Sequence, residues 1–314
     1  MKGKWLGRVM PLVLAVILPW SLLTLGKKHF PPEEALPEQT LPVETQAPDR
    51  KIQVLLDGVT REMDLETYIL SVVLGEMPGE FEPEALKAQA VVARTYALRI
   101  SAGSRHQGAV CTVHSCCQAY RDIDDFLEQG GSRQLLDKVR FAVQATAGQV
   151  LTYQGELIEA TYFSCSGGRT EAAVAVWGTD VPYLQAVDSP GEEQATHFTD
   201  GMTFTWEEFS RALGFVPEGE VTGWFGPVTY TSGGGVATMV IGGKTYTGLQ
   251  LRKLLGLRST AMEIAVEGGN ITITTKGFGH RVGMSQYGAE AMAAEGKTYR
   301  QILSHYYPGT SLFV

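Results

Sequence analysis

The sequence is short of positive charge. It has 26 Lys and Arg against 34 Asp and Glu, a formal net charge of -8. That balance argues against nucleic acid or an anionic membrane surface as the main partner. No internal repeat of solenoid length is present, so a stacked-repeat architecture is excluded. No Gly-x-Ser-x-Gly elbow and no Ser-His-Asp order support a serine nucleophile. Cysteine is scarce: four residues, three of them within Cys111–Cys117. A vicinal Cys116–Cys117 bridge would be strained, and three thiols cannot all pair, so a disulfide framework is not the natural reading.

Hydrophobic residues make up 44% and charged residues 19% of the 314, an ordinary globular balance with enough chain for a real core. The N-terminus differs from the rest. Lys2, Lys4 and Arg8 precede "VMPLVLAVILPWSLLTLG", Val9 to Gly26, which carries no charge, and Lys27 and Lys28 close it. A run of about 18 apolar residues is just long enough to cross a bilayer as a helix. No Ala-x-Ala-like cleavage site follows, so residues 1–28 read as an uncleaved anchor rather than a removed signal. "HFPPEEALPEQTLPVETQAPD" is rich in Pro and Glu with no apolar period. Residues 29–50 therefore read as an extended spacer, with the folded part beginning near Lys51 on the outer side of the membrane.

Within the folded part, "KIQVLLDGVTREMDL" alternates around Asp57-Gly58 and predicts a hairpin. The period then changes. Leu65, Ile69, Val72 and Val73 recur at helical spacing, and Asp64 can cap the start. Glu76 falls four residues beyond Val72 on the same stripe, with Gly75 and Pro78 expected to end the helix. The stripe carries Glu76 toward the core. A second helix opens on Pro83 and is lined by Ala85, Ala88, Ala90, Ala93 and Ala97. Gln89 and Arg94 are polar residues within it, either snorkelling to the surface or facing a partner. "DFLEQGGSRQLLDKVRFAVQATAG" predicts helix to Gly148, and "VLTYQGELIEATYFS" a hairpin around Gln154-Gly155. From about 197 to 275 the texture is β-rich with glycine turns, and the chain closes on a glycine-rich loop and helices. The fold class expected is α+β: a mixed helical core with a β-rich insertion, behind one N-terminal transmembrane helix.

Five segments carry a resemblance: "LGEMPGEFEPEALKAQAVVARTYAL", "TYFSCSGGRTE", "VWGTDVPYLQAV", "LRKLLGLRST" and "GFGHRVGMSQYGAEAMAAEGKTYRQILSHYYPGT". Together, in this order and behind one membrane segment, they resemble the stage II sporulation protein D family. The resemblance implies a membrane-anchored lytic transglycosylase on the extracytoplasmic side of the cell membrane. Such an enzyme cuts peptidoglycan glycan strands during forespore engulfment, on strands whose peptides a partner amidase has removed, together with a membrane scaffold. It places the catalytic glutamate on Glu76, a further important arginine on Arg94, and substrate contacts on Tyr162 and Ser166. Arg94, Gln89 and Gln286 complete the candidate substrate-binding set. Two positions depart from the pattern: Cys165 stands where serine or threonine is usual, and Arg281 where glycine is usual.

The chemistry agrees with one acid. A lytic transglycosylase closes a 1,6-anhydro ring with the sugar's own 6-hydroxyl, so one carboxyl with a raised pKa can serve as acid and then base. Hydrolases of the two-carboxylate kind need a pair. Asp180 and Asp188, flanking "VPYLQAV", are the competing carboxylates. Trp177, Tyr183 and Tyr162 are candidates for stacking on sugar rings, and Ser164 and Ser166 for hydrogen bonds. Thiols and imidazoles suit zinc, although His-x4-Cys-x5-Cys is not a familiar finger spacing. The family resemblance implies zinc on His106, Cys111 and Cys117 in a structural or site-shaping role, with His114, Cys116, water or substrate as the fourth ligand. Cys165 reads as a lone buried thiol. Two other classes stay open: a non-catalytic amidase activator, and a zinc hydrolase centred on the thiol cluster.

Overall fold

The computed structural model describes residues 50–314. The expected anchor and most of the spacer lie outside the described residues. Among the described residues, no helix is long and apolar enough to cross a membrane.

Strands β1 (Lys51–Leu56) and β2 (Val59–Asp64) form the predicted hairpin, Leu56 opposite Val59. Asp57 and Gly58 both take positive φ, 50° and 80°, as a two-residue primed turn requires. Asp64 ends β2 and caps α1 (Leu65–Glu76), accepting from Thr67 N at 2.9 Å. The expected stop at Gly75 is corrected: Gly75 lies inside the last turn, and the helix ends at Glu76, with Met77 extended ahead of Pro78. Helix α2 (Pro83–Ser101) follows, its five alanines wholly buried. Those small side chains let α2 pack closely against its neighbours.

After β3 (Val110–Cys111), which joins β1 in parallel, the predicted long helix is two: α3 (Ile123–Glu128) and α4 (Arg133–Ala145). Gly130 at φ 90° breaks it, and Ser132 caps the restart by accepting from Leu135 N at 3.1 Å. Strands β4 (Val150–Tyr153) and β5 (Glu156–Leu157) form the second hairpin. Strand β6 (Tyr162–Phe163) and helix α5 (Ala173–Trp177) lead to the β-rich segment.

That segment holds two three-stranded sheets. One is β7 (Thr199–Thr205) beside β12 (Asn270–Lys276) and β11 (Ala261–Glu267). The other is β8 (Phe225–Tyr230), β9 (Val236–Ile241) and β10 (Lys244–Thr247). Helices α6 (Trp206–Leu213) and α7 (Gly248–Leu254) cover them. Phe209, Trp224, Ile241, Leu251 and Ile273 fill a core distinct from the one built on α1 and α2. The chain closes with β13 (Met284–Ser285), α8 (Gln286–Ala294), α9 (Tyr299–Tyr306) and β14 (Ser311–Phe313). β13 pairs in parallel with β6, which brings the last glycine-rich loop against "TYFSCSGG".

Arg281, which departs from the resembled pattern, fastens the segment to the rest. It sits at φ 66° and is 2% exposed. Its guanidinium donates to the carbonyls of Ser166, Arg169 and Gly233, each at 2.7 Å, and lies 3.3 Å from Glu171 Oε1. Glu171 also accepts from Gly235 N at 3.0 Å and Thr231 Oγ1 at 2.7 Å in the turn between β8 and β9. The strain of a left-handed arginine is offset by hydrogen bonds no glycine could make.

Arg94 is the second buried arginine. It is 0% exposed and pairs with Glu66, Nη2 to Oε2 2.5 Å and Nε to Oε1 2.9 Å, while Nη1 donates to the Gln149 carbonyl at 3.1 Å. Removing one member of such a pair leaves a buried charge uncompensated, at a cost of about 3 kcal/mol or more. Glu66→Ala is therefore expected to lower unfolding stability by about that amount in a denaturant titration. A loss under about 1 kcal/mol would contradict this account of the helix α1–α2 contact.

Candidate active site

Glu76 is the last residue of α1, and its carboxyl reaches a cleft of about 800 Å³. The opposite wall comes from β6 and the final loop, through Tyr162, Ser164 and His280. Oε1 accepts two hydrogen bonds: from Ala119 N at 2.5 Å and from the Tyr162 hydroxyl at 3.0 Å. Both bonds fall on Oε1; among the described residues none is made to Oε2, and Gln286 stands near the carboxyl with its Nε2 unpartnered. Burial raises the Glu76 pKa above the ordinary carboxyl range. The Ala119 N–H, the Tyr162 hydroxyl, His114 and Gln286 pull the other way without cancelling it. A carboxyl so placed keeps its proton more readily than an exposed one and can still release it.

Of the expected substrate residues, the structure brings Tyr162 and Gln286 to Glu76. Gln286 lies on the cleft wall at the start of α8, its Nε2 without a partner. Three others are elsewhere. Arg94 is consumed by Glu66 and backbone carbonyls and is not on the cleft wall, so the expectation of a substrate contact is corrected to an internal ion pair. Gln89 is wholly buried with neither side-chain atom partnered. Ser166 is wholly buried too, and its N and Oγ each donate to Glu192 Oε2 at 2.8 Å. That carboxylate also accepts from the Cys165 thiol at 3.2 Å and Gly167 N at 2.9 Å. Ser166 and Cys165 thus hold the loop's shape rather than facing the cleft. Burial, and then Glu192, push the Cys165 thiol up to about 12.

Trp177 is 45% exposed on the cleft wall, which makes it available to a sugar ring rather than part of the core. Tyr183 instead packs on Tyr153 and accepts from Glu159 N at 3.0 Å. His280 touches the edges of Phe163 and Trp177, and its Nδ1 accepts from Val282 N at 3.1 Å. Burial, then Arg252, lowers its pKa to about 4, so it is neutral.

Neither Asp180 nor Asp188 reaches the cleft; Asp188 pairs with Arg169 and Asp180 accepts from Gln185. The second cleft carboxylate is Glu159, at the rim, 3.4 Å from Arg99 and 43% exposed. Sequence reasoning missed it, because "LIEATY" carries no local signal beyond strand alternation. Arg105 also stands at the rim, donating to the Cys116 carbonyl at 3.1 Å and the Tyr96 hydroxyl at 3.4 Å.

The thiol cluster forms the same side of the cleft. Ligand atoms of His106, Cys111, Cys116 and Cys117 all lie within 4.8 Å of one another. His106 and Gln107 take positive φ, 47° and 60°, to fold the imidazole back, and His106 Nε2 is 3.2 Å from Cys116 Sγ. Tetrahedral ligands on bonds of about 2.3 Å would sit about 4 Å apart, so this set could hold a metal ion with small adjustments. The electrostatics point the same way. Burial opposes ionisation of Cys111, yet the Val113 N–H and the neighbouring thiols lower its pKa, while burial drives Cys117 up to about 11. Only a cation lets three such sulfurs be thiolates together. His114, one candidate for the fourth position, lies on the cleft wall near Glu76 instead.

A family model described as "Stage II sporulation protein" matches residues 57–153. The chain is 44% identical over 255 residues to the stage II sporulation protein D of Bacillus amyloliquefaciens, covering 79% of this chain and 74% of that protein. It is 43% identical, over the same shares, to the protein of that name in Bacillus subtilis (strain 168). An amidase enhancer of Bacillus subtilis (strain 168) is 28% identical over 299 residues, 77% of this chain and 39% of that protein.

The raised pKa of Glu76 has a consequence for stability. Between the unfolded carboxyl value, about 4.3, and the folded one, the native state binds more protons than the unfolded chain, so this group lowers stability as pH rises. Glu76→Gln removes that effect while keeping an Oε1 acceptor for Ala119 and Tyr162. The variant should melt above the wild type at pH 7, with the gap closing as pH falls toward 4. Melting temperatures measured across that range check it; a gap independent of pH would refute the raised pKa.

Proposed function

The chain belongs to the stage II sporulation protein D family, and on that premise we propose that it is a peptidoglycan lytic transglycosylase. The observation that carries the reading is Glu76: a carboxyl with a raised pKa, held on one oxygen by Ala119 N and Tyr162, beside a cleft with an exposed indole.

Two donors on Oε1 leave the transferable proton to Oε2. That proton passes to the glycosidic oxygen as its bond to C1 of N-acetylmuramic acid breaks, and the leaving sugar departs as an alcohol. The positive charge developing on the ring faces the new Glu76 carboxylate. The carboxylate then takes the proton of the 6-hydroxyl, whose oxygen bonds to C1 and closes the 1,6-anhydro ring. The nucleophile is tethered to the reacting sugar, so the step has the advantage of an intramolecular reaction. His280, neutral, and Gln286, with a spare N–H, are suited to orient sugar hydroxyls.

Peptide-free strands are the proposed substrate. On such strands each muramic residue presents a free lactyl carboxylate, and Arg105 offers a cation at the rim with no carboxylate within ion-pair distance among the described residues. Residues 1–28 as a single-pass anchor, with the catalytic domain outside the cell membrane during engulfment, fit this role. An amidase and a membrane scaffold of the engulfment machinery are the proposed partners. The name amidase enhancer on a relative favours a second reading, in which the chain activates an amidase without cutting strands. A pure activator has no use for the proton-holding geometry at Glu76.

We further propose that the thiol cluster holds Zn²⁺ through His106, Cys111, Cys116 and Cys117. Bound there, zinc would neutralise the thiolates and cross-link the loop; four protein ligands make this a closed, structural type of site. A zinc hydrolase would keep a position open for water, so this donor set disfavours that rival.

Two outcomes are expected. Purified chain should convert peptide-free glycan to products ending in 1,6-anhydro-N-acetylmuramic acid, read by mass spectrometry, and Glu76→Gln should reduce the rate by at least about a hundredfold. Products with ordinary reducing ends carrying oxygen from labelled water would mean hydrolysis, with Glu159 the first base to test. Elemental analysis of protein purified under reducing conditions should find about one zinc per chain. Cys116→Ser should lower that occupancy and His114→Ala should not; the reverse pattern would exchange their roles.

A further inference from the structure

Gln118 follows Cys117 directly and is wholly buried. Its side chain is saturated. Nε2 donates to the Ala93 carbonyl at 3.3 Å and to the Tyr162 hydroxyl oxygen at 3.0 Å, using both hydrogens. Oε1 accepts from the Tyr68 hydroxyl at 3.3 Å. The amide keeps this orientation because a flip would set its carbonyl against that of Ala93, which can only accept. The carbonyl on α2 therefore fixes the orientation, and the hydroxyls on α1 and β6 follow it.

A phenol oxygen that accepts from an amide must send its own proton elsewhere. The other acceptor at hydrogen-bond distance from the Tyr162 hydroxyl is Glu76 Oε1, at 3.0 Å. We propose that Gln118 is a positioning residue of the active site, which orients the Tyr162 hydroxyl as a donor to Glu76 Oε1 and so reserves Oε2 for proton transfer. The inference rests on the transglycosylase reading of Glu76. Without the Gln118 N–H, the phenol can rotate and accept rather than donate, and Glu76 loses the fixed distinction between its two oxygens. Donation into the phenol oxygen also strengthens the phenol as a donor, since linked hydrogen bonds polarise one another.

A cycle of Gln118→Met, Tyr162→Phe and the double variant on peptide-free glycan tests the relay. Gln118→Met should lower kcat about tenfold with KM within about twofold, as for losing one transition-state interaction. In the Tyr162→Phe background the same change should cost under about twofold, because the effect passes through the hydroxyl. Gln118→Glu keeps the size and the acceptor for Tyr68 but turns the donor into a competing acceptor; it should cost at least as much and serves if the methionine variant does not fold. Equal losses in both backgrounds would overturn the proposal. A readout free of activity separates it from the parent reading. In protein carrying ¹³Cζ-tyrosine, the Tyr162 resonance, assigned by its absence in Tyr162→Phe, should move in both Gln118 variants. If the wild type cuts no glycan but that resonance moves, the reading of function fails and the relay stands; if the resonance does not move, the relay fails.

Discussion

The backbone of Ala119 and Tyr120 lies against the last turn of α1 at a separation that leaves a Cβ tighter contacts than most side chains have. A Cβ on Gly75 would stand 3.0 Å from Tyr120 N and 3.1 Å from the Ala119 carbonyl carbon. Because the loop comes that close, the Ala119 N–H reaches the neighbouring Glu76, and the Arg121 N–H donates to the Ser71 carbonyl at 2.9 Å. A side chain at position 75 would oblige the loop to give by a few tenths of an ångström, which loosens the Ala119 contact to the carboxyl. Gly75 therefore acts as a spacer between two parts of the site, not as a helix stop.

Charges buried or half-buried in the fold hold the remaining walls. Three carboxylates, Glu66, Glu171 and Glu192, each gather donors from segments distant in sequence. Glu66 joins α1 to α2 and to the Gly148 N–H at 3.1 Å. Glu171 joins the β-rich segment to Arg281. Glu192 fixes the Cys165–Gly167 loop, and Ser189 donates to it at 2.5 Å. Each is expensive to bury and inexpensive once satisfied, so together they specify loop shapes that apolar packing would leave degenerate. The glycine-rich wall of the cleft needs such ties, having few side chains of its own to pack.

Much of this was legible because it is local. The Asp57-Gly58 turn, the Asp64 cap and the proline opening α2 are short-range rules, and Glu76 stood out because the helical stripe ran into it. The break at Gly130 was visible in the letters but lost to the longer apolar period on either side. What could not be read was pairing at a distance. Arg94 resembles a substrate clamp until Glu66, 28 residues earlier, is placed beside it. Ser166 resembles a sugar contact until Glu192 takes both its donors. Glu159 and Gln118 carry no pattern at all, and only the fold brings Glu159 to the cleft rim and Gln118 behind Tyr162. Arg281, an oddity in the sequence, has its reason in three carbonyls spread over 67 residues from Ser166 to Gly233.

The segment from Cys111 to Ala119 shows how the site's parts depend on each other. Cys116 and Cys117 offer sulfur to the cluster, Gln118 offers an amide to Tyr162, and Ala119 offers a backbone N–H to Glu76. Four consecutive residues thus face three different partners. Neither a helix nor a strand can do this, because their side chains repeat on fixed faces. The segment must be irregular, and irregular backbone keeps its register only when its ends are tied. One tie is β3, whose Cys111 pairs beside Leu55 of β1. The other is the approach to Gly75. Between them, the sulfur and imidazole cluster gathers the loop, so Gln118 and the Ala119 N–H stand one and two residues from Cys117. The cluster lies on the cleft wall, yet its leverage on the chemistry runs through the chain: shifting Cys117 by one position would carry Gln118 off Tyr162 and Ala119 off Glu76 together.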